Sequence, residues 1–294
     1  MEIFEIWPVA LFVAIGLVGL IVGSFLNVVA YRVPIMMELM WRRQCADLET
    51  QQFTPPPHAK GETFNLWLPG SACPSCGQAV AAHHNIPVLS FLLLRGRCAG
   101  CGFKISPRYP VVEALAAVLG LIAAYVFGPS WHTVAALAFT WMLLALTLID
   151  LDHQLLPDSM TLPLLWAGLL LSVVPMDGAP LFTDVSSSVI GAAAGYLSLW
   201  TVYKLFKLVT GKEGMGYGDF KLNAALGAWL GWQLLPLVIL LSAAVGAVVG
   251  IAMIVIGGRS RHVPIPFGPY LAAAGWIALL WGEQLVDLYQ NLLL

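Results

Sequence analysis

Apolar residues fall in eight runs along the chain, at 9–30, 111–128, 131–149, 159–175, 185–205, 220–231, 234–256 and 267–288. With roughly 20 residues needed per crossing of a bilayer, these runs predict eight membrane spans. The sixth is short, so it is predicted to begin inside the glycine-dense turn before it or to rest partly within protein, where irregular backbone at membrane depth is tolerated. One long polar stretch, 32–110, separates the first run from the second. The predicted fold is therefore an all-α polytopic membrane protein of about eight transmembrane helices with a small cytoplasmic insertion between helices 1 and 2. Its expected divisions are a first helix at 1–31, a loop domain at 32–110 and a seven-helix membrane core at 111–294.

Composition agrees with the pattern. Of 294 residues, 59% are hydrophobic and 10% charged, whereas soluble domains carry about 25% charged residues, which excludes a soluble enzyme. The first apolar run is preceded by Glu2 and Glu5 rather than by Lys or Arg, so it is read as a retained span and not a cleaved signal peptide. The net charge of −2 carries no information about nucleic acid, because distribution matters and the total does not; the expected partner is the lipid bilayer, with no nucleic acid.

The distribution of basic residues sets the orientation. Arg32, Arg42, Arg43, Lys60, Arg95, Arg97, Lys104 and Arg108 lie between runs one and two. Lys204, Lys207, Lys212 and Lys221 surround the break between five and six, and Arg259 and Arg261 fall between seven and eight, which accounts for all 14 Lys and Arg residues. With eight spans these breaks share one face, and the positive-inside rule makes that face cytoplasmic. The break at 150–158 lies on it too.

The loop domain contains Cys73-Pro74-Ser75-Cys76 and Cys98-Ala99-Gly100-Cys101. Each C-x-x-C can present two thiolates to one ion, and the four of them complete a closed tetrahedral zinc site with no open position for water, hence a structural one. Two disulfides are the alternative, disfavoured on a reducing cytoplasmic face. His83 and His84 are spare ligands that the matched cysteines make unnecessary, and Cys45 reads as a plain thiol. The stretch 54–57, Thr followed by three prolines, reads as linker.

Two acids stand at the ends of apolar runs. Asp219 closes the turn Gly214-Met215-Gly216-Tyr217-Gly218, and Asp150 follows Leu146-Thr147-Leu148-Ile149. An Asp at mid-span costs about 2.5 to 3.5 kcal/mol on insertion scales, so an acid at membrane depth is paired, neutralised or put to use. Taken alone, Asp219 is equally well read as a helix N-cap. A second acid at the same depth on the same face favours a pair in which one ionised carboxylate activates water and one protonated carboxyl donates to a carbonyl, as in aspartic proteases. Asp150 is the choice for that partner and Asp152, beside His153, the second choice. Asp158 reads as the N-cap of the fourth span, and Glu113 as a first-turn acid satisfying the dipole of the second. The glycines at 214, 216 and 218 offer unusual backbone angles and close approach; a phosphate loop is set aside because no strand precedes them.

Taken together, Gly23-Ser24-Phe25-Leu26-Asn27-Val28-Val29-Ala30-Tyr31-Arg32-Val33-Pro34, the paired cysteine knuckles, Ser106-Pro107-Arg108-Tyr109-Pro110, Ile149-Asp150 followed by Leu156-Pro157-Asp158, and Gly216-Tyr217-Gly218-Asp219 resemble the bacterial type IV prepilin leader peptidases over nearly the whole chain. The last motif matches the G-x-G-D signature. The resemblance implies two reactions at the cytoplasmic face of the inner membrane. A basic leader is cut after a glycine from type IV prepilins and type II secretion pseudopilins, whose apolar helix follows it. The new N-terminal residue, usually Phe, is then N-methylated from S-adenosylmethionine. It implies Asp150 and Asp219 as catalytic residues, Cys73, Cys76, Cys98 and Cys101 as zinc ligands, and methyl transfer in the 32–110 region. The rival readings are an ion- or proton-coupled transporter using paired intramembrane acids and a scaffold that only binds pilins.

Overall fold

A computed structural model describes residues 8–44, 64–81, 85–176, 178–256 and 265–293. Cys45, Lys60, His83, His84, Arg259, Arg261 and the 54–57 stretch lie outside the described residues. The helices in chain order are α1 Pro8–Gln44, α2 Leu89–Leu93, α3 Arg108–Phe127, α4 Trp131–His153, α5 Asp158–Val173, α6 Val185–Thr210, α7 Tyr217–Leu230, α8 Leu235–Val255 and α9 Gly268–Leu293. Among the described residues the only extended pairings are isolated bridges, so the architecture is all-helical. Each of the eight apolar runs is a helix, and among the described residues six helices are long and apolar enough to cross a membrane. The protein is a multi-pass membrane protein.

The chain forms two compact units, Met1–Tyr125 and Val126–Leu294. In the first, α1 and α3 cross at small residues. A methyl group added at Gly19 would stand 2.6 Å from the Ala117 Cα, and one at Gly23 would stand 2.6 Å from the Glu113 Cα. Glycine at these positions lets two backbones touch, the usual basis of helix association where lipid removes the hydrophobic drive. The α1 helix does not stop at residue 31 but continues through Pro34 to Gln44. Arg32, counted among the loop cations, is buried; its guanidinium donates to the Asn65 and Pro69 carbonyls at 2.8 and 2.5 Å and lies over the Phe64 ring, tying the cysteine region to α1. Glu113 is not in the first turn of α3. The dipole reading of it is therefore corrected: its Oε2 accepts the Val88 amide at 2.7 Å.

The second unit is organised around α7. From Phe220 to Leu230 only Lys221 is not buried, so the helix is enclosed by protein on nearly every side. Its neighbours α5 and α6 approach at glycines. A methyl at Gly168 of α5 would meet Trp229 Cδ1 at 2.5 Å, and methyls at Gly191 and Gly195 of α6 would overlap the Gly227 and Asn223 carbonyl oxygens. Polar groups of α7 close onto the same helices: Asn223 Nδ2 donates to the Gly195 carbonyl at 2.8 Å, Trp229 Nε1 to the Leu164 carbonyl at 2.8 Å, and the Ala228 carbonyl accepts from Ser188 Oγ at 2.6 Å. A buried helix locked in this way to both neighbours is a rigid base for chemistry at its N-terminus.

Candidate active site

The α7 helix begins at Tyr217 after an extended Gly216, and Asp219 is its third residue. An acid in the first turn can reach back over the open helix end; Asp219 Oδ2 accepts the Gly216 amide at 3.2 Å. Asp219 is therefore a first-turn acid, not the N-cap itself. None of the glycines at 214, 216 and 218 has a positive φ. What Gly214 and Gly218 provide is closeness: added methyls would strike the Phe206 ring at 2.9 Å and the Leu156 Cβ at 2.8 Å.

Asp150 lies on the last turn of α4, which ends at a left-handed Gln154. Its Oδ2 accepts the Gly268 amide, the first of α9, at 3.0 Å. Asp150 and Asp219 are 5% and 8% exposed, and one side chain, Leu156, packs both on Gly218 next to Asp219 and on Gly268, whose amide holds Asp150. The structure thus brings together the two acids singled out from sequence. Each is held by one backbone amide on Oδ2, and among the described residues neither Oδ1 has a hydrogen-bond donor. Two close carboxyls, each oriented on one oxygen and open on the other, can hold a water and polarise a carbonyl at once. Asp152 and His153 are exposed at the end of α4.

Three residues around this pair were given no role at the site by sequence reasoning, although Leu156 stood in a quoted motif and Lys221 among the loop cations. Gly268 is one: a methyl there would stand 2.6 Å from Asp150 Oδ2, so only glycine permits that amide contact. Leu156 is another; buried, it fills the space beside both Gly218 and Gly268. Lys221 is the third, its Nζ donating to both oxygens of Asp158 at 2.6 and 2.7 Å. The N-cap reading of Asp158 is corrected accordingly. Pro157 is the cap and makes no side-chain cap bond, while Asp158, the first helical residue, ties the start of α5 to the start of α7.

The four cysteine sulfurs Cys73, Cys76, Cys98 and Cys101 lie within 4.8 Å of one another, and Cys73 Sγ is 3.8 Å from Cys101 Sγ. Zinc–sulfur bonds of about 2.3 Å at tetrahedral angles put sulfurs about 3.8 Å apart, so the set fits the ion. Each knuckle closes on itself, with the Gly77 amide donating to the Cys73 carbonyl and the Gly102 amide to the Cys98 carbonyl. The Cys76 and Ser75 amides, pointing at the Cys73 sulfur, bring its thiol down to about 6. The Gln78 amide favours the Cys76 thiolate, but Cys101 and burial outweigh it and carry that thiol up to about 11. Four thiols crowded this closely cannot all ionise without a cation.

Residues 17–127 match the model of the bacterial peptidase A24 N-terminal domain, and residues 137–251 match that of the type IV leader peptidase family. The chain is 53% identical over 287 residues to a protein of Aeromonas salmonicida named prepilin leader peptidase/N-methyltransferase, covering 98% of this chain and 96% of that one. Proteins of the same name from Pseudomonas aeruginosa and Legionella pneumophila are 52% and 44% identical; the alignments cover 96% of this chain in both cases and 94% and 96% of theirs. No solved structure matches.

Proposed function

The chain belongs to the type IV leader peptidase family, and on that ground we propose that Asp150 and Asp219 cut the leader from prepilins and pseudopilins. The protein is an aspartic endopeptidase and N-methyltransferase of prepilins, and its family membership sets the transporter alternative aside. The observation that carries the residue assignment is the pair of buried carboxylates, each fixed on Oδ2 by a backbone amide from a different segment of the chain. One ionised carboxylate takes a proton from water as it attacks the scissile carbonyl; the other, protonated, donates to the carbonyl oxygen. The proton then passes to the leaving amine as the tetrahedral intermediate breaks down.

The substrate's chemistry suits this position. A basic leader held at the cytoplasmic face, followed by an apolar helix in the bilayer, presents its cleavage site at the interface. We place both acids and the cysteine knuckles on the cytoplasmic side of the bacterial inner membrane by the distribution of Lys and Arg. We propose a functional division into a first membrane segment within 1–31, a loop domain at 32–110 and a peptidase core at 111–294, although the helix of the first segment itself runs on to Gln44. Cys73, Cys76, Cys98 and Cys101 would hold a structural zinc ion that fastens the two knuckles. S-adenosylmethionine supplies the methyl group for the new N-terminus, and we assign that transfer to the 32–110 region.

The test is cleavage of a purified prepilin by the purified protein. Asp150→Asn and Asp219→Asn should each lower the rate by on the order of 10³-fold, the scale of acid–base catalysis, with helical content unchanged. Normal processing by either variant refutes the pair.

A further inference from the structure

The short helix α2 is amphipathic in the inverse sense. Its one buried residue is Ser90, whereas Leu89, Leu92 and Leu93 are 49%, 65% and 74% exposed. Their spacing of i, i+3 and i+4 places them on one face. In water a helix turns its serine out and its leucines in, so this face is built for a different surrounding.

Depth in the membrane identifies that surrounding. Val88, immediately before α2, donates its amide to Glu113 Oε2 at 2.7 Å. Glu113 lies five residues into α3, about 7.5 Å along its axis, and helical side chains lean back toward the N-terminus. The 20 residues of α3 measure about 30 Å, the thickness of the hydrocarbon core. The α2 helix therefore starts level with the first turns of a spanning helix, at the boundary of headgroups and acyl chains.

Charge completes the pattern. Directly after α2 the chain turns through Arg95 and Gly96, both at positive φ, and enters the second knuckle, where Arg97 is bridged to Lys104. Arg95, Arg97 and Lys104 are exposed, and among the described residues none of them forms an ion pair. Three unpaired cations beside an apolar face match an anionic lipid surface, with stems buried and charges at the phosphates.

We propose that α2 lies in the membrane interface, with Leu89, Leu92 and Leu93 among the acyl chains and Arg95, Arg97 and Lys104 on anionic phospholipid headgroups of the leaflet on the knuckle side. The cysteine module is thereby held down on the bilayer. The proposal involves neither the carboxylate pair nor the reaction it performs.

The full-length protein carrying photoreactive benzoylphenylalanine in place of Leu92 or Leu93 is reconstituted in vesicles of phosphatidylethanolamine with a minority of phosphatidylglycerol and irradiated. Mass spectrometry should find phospholipid adducts at both positions and few at the same probe in place of Ala99, which is exposed between the second pair of cysteines. Phosphatidylglycerol should exceed its mole fraction among the adducts. That excess should fall by at least roughly five-fold with Arg95→Gln, Arg97→Gln and Lys104→Gln combined, since one basic residue near an anionic surface is worth about that factor. Three results overturn the proposal: lipid labelling at Leu92 and Leu93 no greater than at Ala99, adducts mainly to a second copy of the chain, or a phosphatidylglycerol share unmoved by neutralising the cations.

Discussion

At Gly268 a single hydrogen atom separates a held carboxylate from a displaced one. Alanine there would bring its methyl to 2.6 Å from Asp150 Oδ2, and a displacement of about 1 Å at reacting groups costs on the order of 10²-fold in rate. Gly268→Ala is accordingly expected to lower kcat for prepilin cleavage by that order while KM changes little, read from steady-state kinetics. Leu156→Ala should act in the same direction, and Leu156→Met, which keeps the volume, should retain most of the activity. At this scale the acids were legible because a charge at the end of an apolar run is conspicuous. Gly268 was not, since its partner lies 118 residues away, and Leu156, though it stood in a quoted motif, gave no sign of which backbones it would pack against.

Both units assemble their helices on glycines four residues apart, Gly19 and Gly23 on α1 and Gly191 and Gly195 on α6. That small-xxx-small spacing was visible in the sequence, but it names one side of a contact and not the helix that fits it. Gly191→Ala would place a methyl inside the Gly227 carbonyl oxygen and should destabilise the second unit by about 1 to 3 kcal/mol, as overpacking does. At Gly250 the nearest atom to an added methyl is Ile265 Cδ1 at 3.4 Å, and Gly250→Ala should stay within about 0.5 kcal/mol of the parent. Unfolding in denaturing detergent distinguishes the two. In the knuckles, Cys76→Ser is expected to reduce bound zinc from near one per chain to a small fraction, measured by elemental analysis, because structural sites lose most of their affinity with one ligand. Helix ends were less legible than helices. The run ending at residue 30 belongs to a helix that reaches Gln44, because Arg32 and Pro34 interrupt the apolar pattern without ending the helix.

Over the whole molecule, hydropathy and the one-sided distribution of Lys and Arg yield a topology that can be checked directly. A periplasm-dependent reporter fused after residue 180 should be active, and one fused after residue 212 inactive. The division into two compact units was less evident from the sequence, where the long polar stretch stands apart as a third part. Arg32, Val88 and Glu113 bind that stretch to α1 and α3 through backbone carbonyls and an amide, contacts that leave no trace in composition.

For the machinery that threads this chain into the bilayer during synthesis, α7 is a poor candidate for insertion. It has 14 residues, includes Asp219, Lys221 and Asn223, and is not among the helices long and apolar enough to cross. It becomes stable only against the glycines of α5 and α6, which leave the ribosome earlier. The amide that orients Asp150 comes from Gly268, made 118 residues later in synthesis. A product that stops before Gly268 is therefore expected to lack an oriented Asp150 and to leave prepilin uncut, which cleavage assays on a chain ended at residue 266 would check.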